Sequence, residues 1–579
     1  MRASASLPLL LLLLTSVLPS CGPKQTTPPG QLPADLSRQV DDILKPWNKP
    51  GSPGAAVAIL KDGKVVFTKG YGLANLEYNV PITPASVFHV ASESKQFVAF
   101  CIVLLAQEGK LSLSDDIRKH LSFVPRFDNT ITIRHLVHHT SGLRDQWQLM
   151  AISGTRLDDV ITQEHILKLV AEQKALNFTP GERHLYCNTG YTLLAEIVKQ
   201  ASGQSLRQYA EARIFKPLGM KNTHFHDDYT EVVKGRTYSY NPAPGDKFTN
   251  SVLSYSTVGA TSLFTTVEDE ARWLRNYETG QVGGPKALAQ MQELGVLNGG
   301  KKLEYAFALN IDSYKGHQRI GHGGADAGFR SFAVRFPGEK LGIVLFSNAA
   351  HFDAYGTATK IADLFLTDQE ETPAAAPART PDASVLAQYA GSYANPEGPP
   401  LRVVVENGQL QMDGGFGRTP LEAVSDSLFT AWNGHLKVAF ARGSGKGAPS
   451  PALTLTTNEP ARYTRYQPVK LTARELTAYT GTFESDELDE RYQVVLAGDS
   501  LLLRHRKYAD VPLQAVTREQ FSCPHWWVGN ILFARGGNGE VTGLEINHGR
   551  VLHLRFNKIG QPLPALRAAT PVRALSANR

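Results

Sequence analysis

Cysteine is scarce in this chain: there are 4 in 579 residues, at positions 21, 101, 187 and 523. The first closes an apolar leader and the others lie far apart, so no regular pairing framework exists and a disulfide scaffold is excluded. Any block of like charge is also missing. The 60 Lys and Arg against 54 Asp and Glu leave a net charge of +6 spread over the whole length, which gives nucleic acid no footprint. The one long apolar run, Leu7–Leu18, is too short for a good membrane span and has Pro8 inside it and Pro19 just beyond. His224, His226, Asp227 and Asp228 crowd together, but no second histidine cluster brings them to the three or four ligands of a metal centre. That run reads as surface, and neither a metal nor a cofactor is expected.

What is present is ordinary globular composition, 42% hydrophobic and 20% charged, in a length that suits about three or four domains. Residues 1–21 form a leader with Arg2, the apolar run and small residues, the layout of a secretory signal. Leu18-Pro19-Ser20-Cys21 resembles a bacterial lipobox with an atypical proline. It implies lipid attachment at Cys21 and a membrane-anchored protein of the cell envelope, facing the periplasm or the exterior; plain secretion stays open. Residues 22–34, rich in Pro, Thr and Gly, read as a flexible tether.

Residues 35–370 read as one domain. Leu36–Leu44 is a short amphipathic helix, and Ala55–Leu60 with Lys64–Lys69 is a hairpin turned at Asp62-Gly63. Apolar residues from Phe97 to Leu105 predict an amphipathic helix that begins near Ser92. Helices are also expected over Lys110–Leu121, Ile131–His139 and Tyr191–Ala201, and from Thr266 onward. Arg330–Phe336 and Leu341–Phe346 flank Pro337-Gly338 as a closing hairpin. Strands at both ends with helices between imply an α+β fold, an antiparallel sheet with helical layers. A Pro/Ala linker follows at 371–383. The rest repeats: Tyr389-Ala390-Gly391-Ser392-Tyr393 matches Tyr479-Thr480-Gly481-Thr482-Phe483, 90 residues on. Two small antiparallel β-barrels without a convincing helix are expected at 384–468 and 469–562, because closure removes exposed edges. Residues 563–579 are a tail.

Three stretches carry chemistry. Ser92-x-x-Lys95 puts an amine one helical turn from a hydroxyl, where a partly desolvated lysine can act as base. His184-Leu185-Tyr186-Cys187-Asn188 is a polar loop opening the Tyr191 helix, and Gly321-His322-Gly323-Gly324-Ala325 precedes the closing hairpin. In order, these resemble the Ser-x-x-Lys, Tyr-x-Asn and Lys/His-x-Gly motifs of the class C β-lactamase and penicillin-binding-protein superfamily of serine hydrolases. Gly70-Tyr71-Gly72, His139-Thr140-Ser141-Gly142 and Pro217-Leu218-Gly219-Met220 add to the resemblance, which spans about Leu36 to Leu366; His135, His138 and His139 fall on a helix that the family uses structurally.

By motif position the resemblance implies that Ser92 is the acylated nucleophile, with Lys95 and Tyr186 sharing the base work. Asn188 is implied to hold the substrate amide and Lys95, and the backbone N–H groups of Ser92 and Ala325 to form an oxyanion hole beside Gly323 and Gly324. His322 stands where β-lactamases carry lysine. Its ordinary pKa near about 6.5 leaves it mostly neutral at pH 7, which suits a substrate without a carboxylate at that point. Together with two trailing barrels, this resembles the D-aminopeptidase branch, in which one barrel sends a loop to the active site. The acidic run Glu484–Glu490 is a candidate for meeting a substrate amine, although a solvated hairpin tip is the favoured reading. The expected activity is hydrolysis of small peptides or amides, with D-residue preference. A carboxylesterase, a weak β-lactamase, and a non-turnover penicillin-binding sensor share the motifs and remain open, so the partner is a small peptide, amide, ester or β-lactam.

Overall fold

A computed structural model describes residues 31–368 and 381–560, apart from 415–416, 432–435, 446 and 458–459. The leader, Cys21, most of the tether and linker, and the tail lie outside the described residues.

The first domain is built on six antiparallel strands in the order Asn310–Tyr314, His317–Asp326, Phe329–Phe336, Leu341–Ser347, Ala55–Lys61 and Lys64–Tyr71. The chain's two ends thus meet mid-sheet, Val57 opposite Leu345 and Ile59 opposite Ile343. Both strands are buried on both faces, which is why they read as unbroken apolar runs. Val57, Ile59, Ile343 and Leu345 pack under the helices Ala34–Leu44 and Ala354–Ala362. Ala56, Ala58, Val344 and Phe346 face the larger core, with Phe97, Phe100 and Trp273.

That larger core holds the helix Ser94–Gln107, whose residues Ser94 to Leu105 are all buried. The expected amphipathic helix is instead enclosed on every side, because it runs through the middle of the helical layer. Two other expectations are corrected. Lys110–Leu121 holds only the short turn Ile117–Lys119, since Asp115 and Asp116 cap Ser112 and Arg118 locally instead of starting a helix. Each barrel is also preceded by a short helix, Ala383–Tyr389 and Ala473–Leu476.

Both barrels close with eight antiparallel strands, over Gly391–Tyr466 and Gly481–Ile559. The repeated tyrosines explain the recurring motif: Tyr389 stacks on Phe440 at 4.3 Å, and Tyr479 meets Phe521 and Phe533 edge-on at 5.0 Å. Each is buried in its own barrel's core.

The second barrel docks on the first domain through Arg144. This wholly buried guanidinium donates to Glu487 at 2.6 Å, to Gln173 at 3.1 Å, and to the carbonyls of Leu552 and His553 at 3.0 and 2.9 Å. The acidic run is therefore no solvated tip. Glu487 joins that buried pair, and Glu490 is buried against His505 and Arg506.

Candidate active site

Ser92 sits on a tight turn, Ala91–Glu93, that runs straight into the helix Ser94–Gln107. Ala91 has φ +48° although it is not glycine, a costly conformation held because the surroundings over-determine it. The strand carrying the third motif crosses directly over this turn. A Cβ on Gly324 would lie 2.3 Å from the Val90 carbonyl oxygen and 3.0 Å from the Ala91 Cβ, so only glycine fits there. Ser331 on the next strand donates to the same Val90 oxygen at 2.9 Å and fixes the crossing.

Lys95 is fully buried and not open to the cleft. Its Nζ lies 3.0 Å from Ser92 Oγ, 2.9 Å from Asn188 Oδ1 and 2.6 Å from the Ala260 carbonyl. Burial lowers its pKa to about 7, with the charge of Arg550 adding to the fall and Asp326 and Asp145 opposing it. Tyr186 presents its ring to the amine, 4.9 Å from the centroid. Its buried hydroxyl makes no full hydrogen bond, though Ser92 is near enough to temper the rise that burial causes in its pKa.

Asn188 begins the helix Asn188–Ser202 with both ends of its amide engaged: Oδ1 receives Lys95, and Nδ2 and the backbone N–H donate to Asp145 Oδ2 at 2.8 Å each. Its first task is thus to hold Lys95, and Asp145 in turn holds Asn188. Asp145, which caps the helix Gln146–Ile152, carried no motif in the sequence.

His322 is nearly buried, and a chain of bonds fixes its proton. The Cys187 N–H donates to His139 Nδ1 at 3.0 Å, so His139 carries its hydrogen on Nε2, 3.1 Å from Tyr305 Oη. Tyr305 then gives its own hydrogen to His322 Nε2 at 3.2 Å, and His322 Nδ1–H donates to the Gly323 carbonyl at 2.7 Å. Burial, then the charge of Lys95, lowers the His322 pKa to about 4, so the ring is neutral at pH 7. His139, at φ +56°, lies beyond the helix Ile133–Val137 and not on it as expected, and it is part of the site's support.

These groups line a cleft of about 620 Å³ with Trp147, Phe332 and Phe352 as apolar walls. Ser92, Tyr186, Asn188, His322, Gly324 and Ala325 all face it. Asp326 follows Ala325 and is held by His89 at 3.0 Å and by Thr261. None of Glu484–Glu490 lines the cleft; the second barrel contributes Arg550 instead. Behind the Ser92 turn, Glu93 and Glu270 are wholly buried. Burial, then the charge of Glu270, pushes Glu93 well above the usual carboxyl range, and burial, then Asp269, pushes Glu270 to about 8.

His224, His226 and Glu231 gather with candidate ligand atoms within 4.8 Å of one another, and His226 is buried, so this run is not the plain surface loop expected. Arg207 already clamps both Glu231 oxygens, at 2.6 and 2.8 Å, so a cation would have to displace it.

Three motifs in order, a lysine against a serine on a strained turn, and a glycine strand across both are the marks of a serine hydrolase on the β-lactamase scaffold. The chain belongs to the Beta-lactamase family, which matches residues 38–366. A domain family of unknown function, DUF3471, matches 375–458, most of the first barrel. Over 524 residues the chain is 26% identical to a D-aminopeptidase of Brucella anthropi, covering 88% of this chain and 95% of that protein. A D-aminopeptidase of Gluconobacter oxydans is 27% identical over 304 residues, 52% of this chain and 57% of its own length. In fold, the chain is similar to the octameric penicillin-binding protein homologue from Pyrococcus abyssi, with TM-score 0.52 and 23% identity over 74% of this chain and 99% of that one.

Proposed function

We propose that the protein hydrolyses small peptides and amides through an acyl-enzyme on Ser92, preferring a D-residue on the acyl side. The observation that carries this is the set of partners around Lys95 Nζ. A free amine has two N–H groups and one lone pair. Asn188 Oδ1 and the Ala260 carbonyl accept the two hydrogens, leaving the lone pair for the Ser92 hydroxyl at 3.0 Å. With a pKa of about 7, that form is well populated at neutral pH.

In acylation, Ser92 Oγ attacks the scissile carbonyl carbon while its proton passes to Lys95. The carbonyl π pair moves onto oxygen, where the backbone N–H groups of Ser92 and Ala325 receive the charge. Collapse re-forms the C=O and breaks the C–N bond, and the leaving nitrogen takes the proton back from Lys95 by way of the Tyr186 hydroxyl. Tyr186, whose pKa is raised by burial, gives one proton as it takes another and is not a standing phenolate. Water then attacks the acyl carbon by the same proton path, releasing the acid and Ser92. His322, neutral, steadies the Gly323–Ala325 edge.

The D-aminopeptidase relatives support the stereochemical part. The test is chromophore release from D-alanyl p-nitroanilide, its L-isomer and the N-acetylated D-form, with Ser92→Ala as control. Turnover of the D-isomer over the L-isomer, absent in Ser92→Ala, is expected. Equal rates for the isomers remove the D-preference, and activity surviving in Ser92→Ala removes the mechanism. The leader also supports export with acylation at Cys21, checked by incorporation of labelled palmitate into the wild type and not into Cys21→Ala.

A further inference from the structure

We propose that Arg550, supplied by the second barrel, is a subsite for a carboxylate of the substrate, so that the enzyme selects short peptides with a free carboxyl end. This rests on the peptide-hydrolase reading above and specifies the substrate class.

Arg550 follows Gly549 at the tight turn between the strands Val541–His548 and Val551–Ile559. Gly549 has φ +60°, and a Cβ there would come within 3.0 Å of Gln148 Oε1. The first domain grips the turn by its backbone. Arg550 N–H donates to Gln148 Oε1 at 2.9 Å, its carbonyl accepts from Asn177 Nδ2 at 3.0 Å and from the Asp145 N–H at 3.2 Å, and Gln148 Nε2 donates to the His548 carbonyl at 2.6 Å.

With the main chain fixed, the side chain lies over the Tyr186 ring, 4.7 Å from the centroid, inside the cleft. It is 44% exposed, and its nearest anion, Asp145 Oδ2, is 3.9 Å away, beyond hydrogen-bond reach. That oxygen already accepts two bonds from Asn188. The Arg550 side chain makes no hydrogen bond among the described residues, so its planar fork of N–H groups is offered to the cleft, the geometry that matches a carboxylate two-to-two.

The other basic groups at the cleft are differently placed. Lys95 is buried and engaged with three partners, His322 is engaged at both nitrogens, and Arg330 donates to the carbonyls of Ala327 and Phe329 at 3.1 and 2.6 Å. Histidine in the third motif removes a permanent cation from the sheet edge, and Arg550 returns one from another domain, over the Tyr186 ring. The absence of a cation at His322 therefore leaves room for a substrate carboxylate at a different point of the cleft, beside Arg550.

The test measures binding by calorimetry to the full chain carrying Ser92→Ala, which cannot form the acyl-enzyme. The probes are a D-alanyl dipeptide with a free carboxylate and the same dipeptide as its carboxamide. About tenfold tighter binding of the carboxylate is expected, the scale of a charge-assisted pair in a half-exposed site. The preference should vanish in Ser92→Ala/Arg550→Ala and survive in part in Ser92→Ala/Arg550→Lys. Equal affinity for the two probes, or a preference that persists without Arg550, overturns the proposal. Fluorophosphonate labelling of wild-type Ser92, which needs no substrate carboxylate, separately reads the acyl chemistry and so distinguishes failure of the general function from failure of this subsite.

Discussion

Tyr305 hands its phenolic hydrogen to His322 Nε2 across 3.2 Å, and it can do so only because His139 supplies the hydrogen that Tyr305 accepts. The direction of this chain is set three residues away, at the Cys187 N–H. His322 is therefore held in one tautomer. Tyr305→Phe removes both bonds and should lower kcat/KM about five- to tenfold, the scale of one buried hydrogen bond. The Gly323 carbonyl still holds the hydrogen on Nδ1, so ¹⁵N NMR should show His322 keeping its tautomer while its Nε2 resonance moves to that of an acceptor without a donor; an unmoved Nε2 resonance would refute the Tyr305 bond.

Acylation should follow the titration of Lys95. Below about 7 the amine is protonated and cannot accept the Ser92 hydrogen, so the acylation rate should rise about tenfold per pH unit and level off above that value. Single-turnover labelling of Ser92 across pH 5–9 (roughly two units either side) reads this. Lys95→Ala should cost about 10²–10⁴-fold and flatten the profile. It should also cost about 1–3 kcal/mol of stability, because Asn188 Oδ1 and the Ala260 carbonyl lose a buried donor.

Stability should depend on pH through Glu270. Its folded pKa of about 8 lies above the unfolded carboxyl value, so the folded chain binds the extra proton between the two. The contribution is fully present below about 4.5 and is lost as pH rises through about 8. Thermal melts of Glu270→Gln should show a shallower fall in Tm over that window than the wild type. Parallel curves would show that the carboxyl is not taking up the proton.

Arg144→Ala should loosen the second barrel. It leaves Glu487 buried without its cation and frees the carbonyls of Leu552 and His553, a loss of about 3–5 kcal/mol for a broken buried pair. Hydrogen exchange should rise first in 548–555 and in the Glu487 loop, before the six-stranded sheet is affected. Uniform destabilisation of all three domains would argue against a docking role.

Much of this arrangement could be read from the chain, because it depended on short-range pattern. The runs Ala55–Leu60 and Leu341–Phe346 announced central strands, the three motifs announced the cleft, and the Tyr-x-Gly repeat announced twin barrels. What could not be read depends on how domains meet. Arg550 lies 364 residues from Tyr186, in a barrel hairpin with nothing chemical about its sequence. Glu487 looked like a solvated charge because its partner, Arg144, belongs to another domain. Tyr305 belongs to no motif and His139 opens a supporting stretch with no chemistry assigned to it; only the bonds that lead from them to His322 give them a role. Lys110–Leu121 failed for the opposite reason, since strong caps there satisfied turns before a helix could form.

The turn that carries Arg550 joins the strands Val541–His548 and Val551–Ile559 of the second barrel, so one lining group of the cleft depends on that barrel's closure. Loss of the strand Val551–Ile559 would leave Ser92, Lys95 and Tyr186 in the chain yet remove the partner of Val541–His548 and Gly481–Ser485, and with it the closed barrel that presents that guanidinium. Selectivity that rests on Arg550 thus depends on barrel closure, whereas Ser92, Lys95 and Tyr186 are all carried by elements of the first domain.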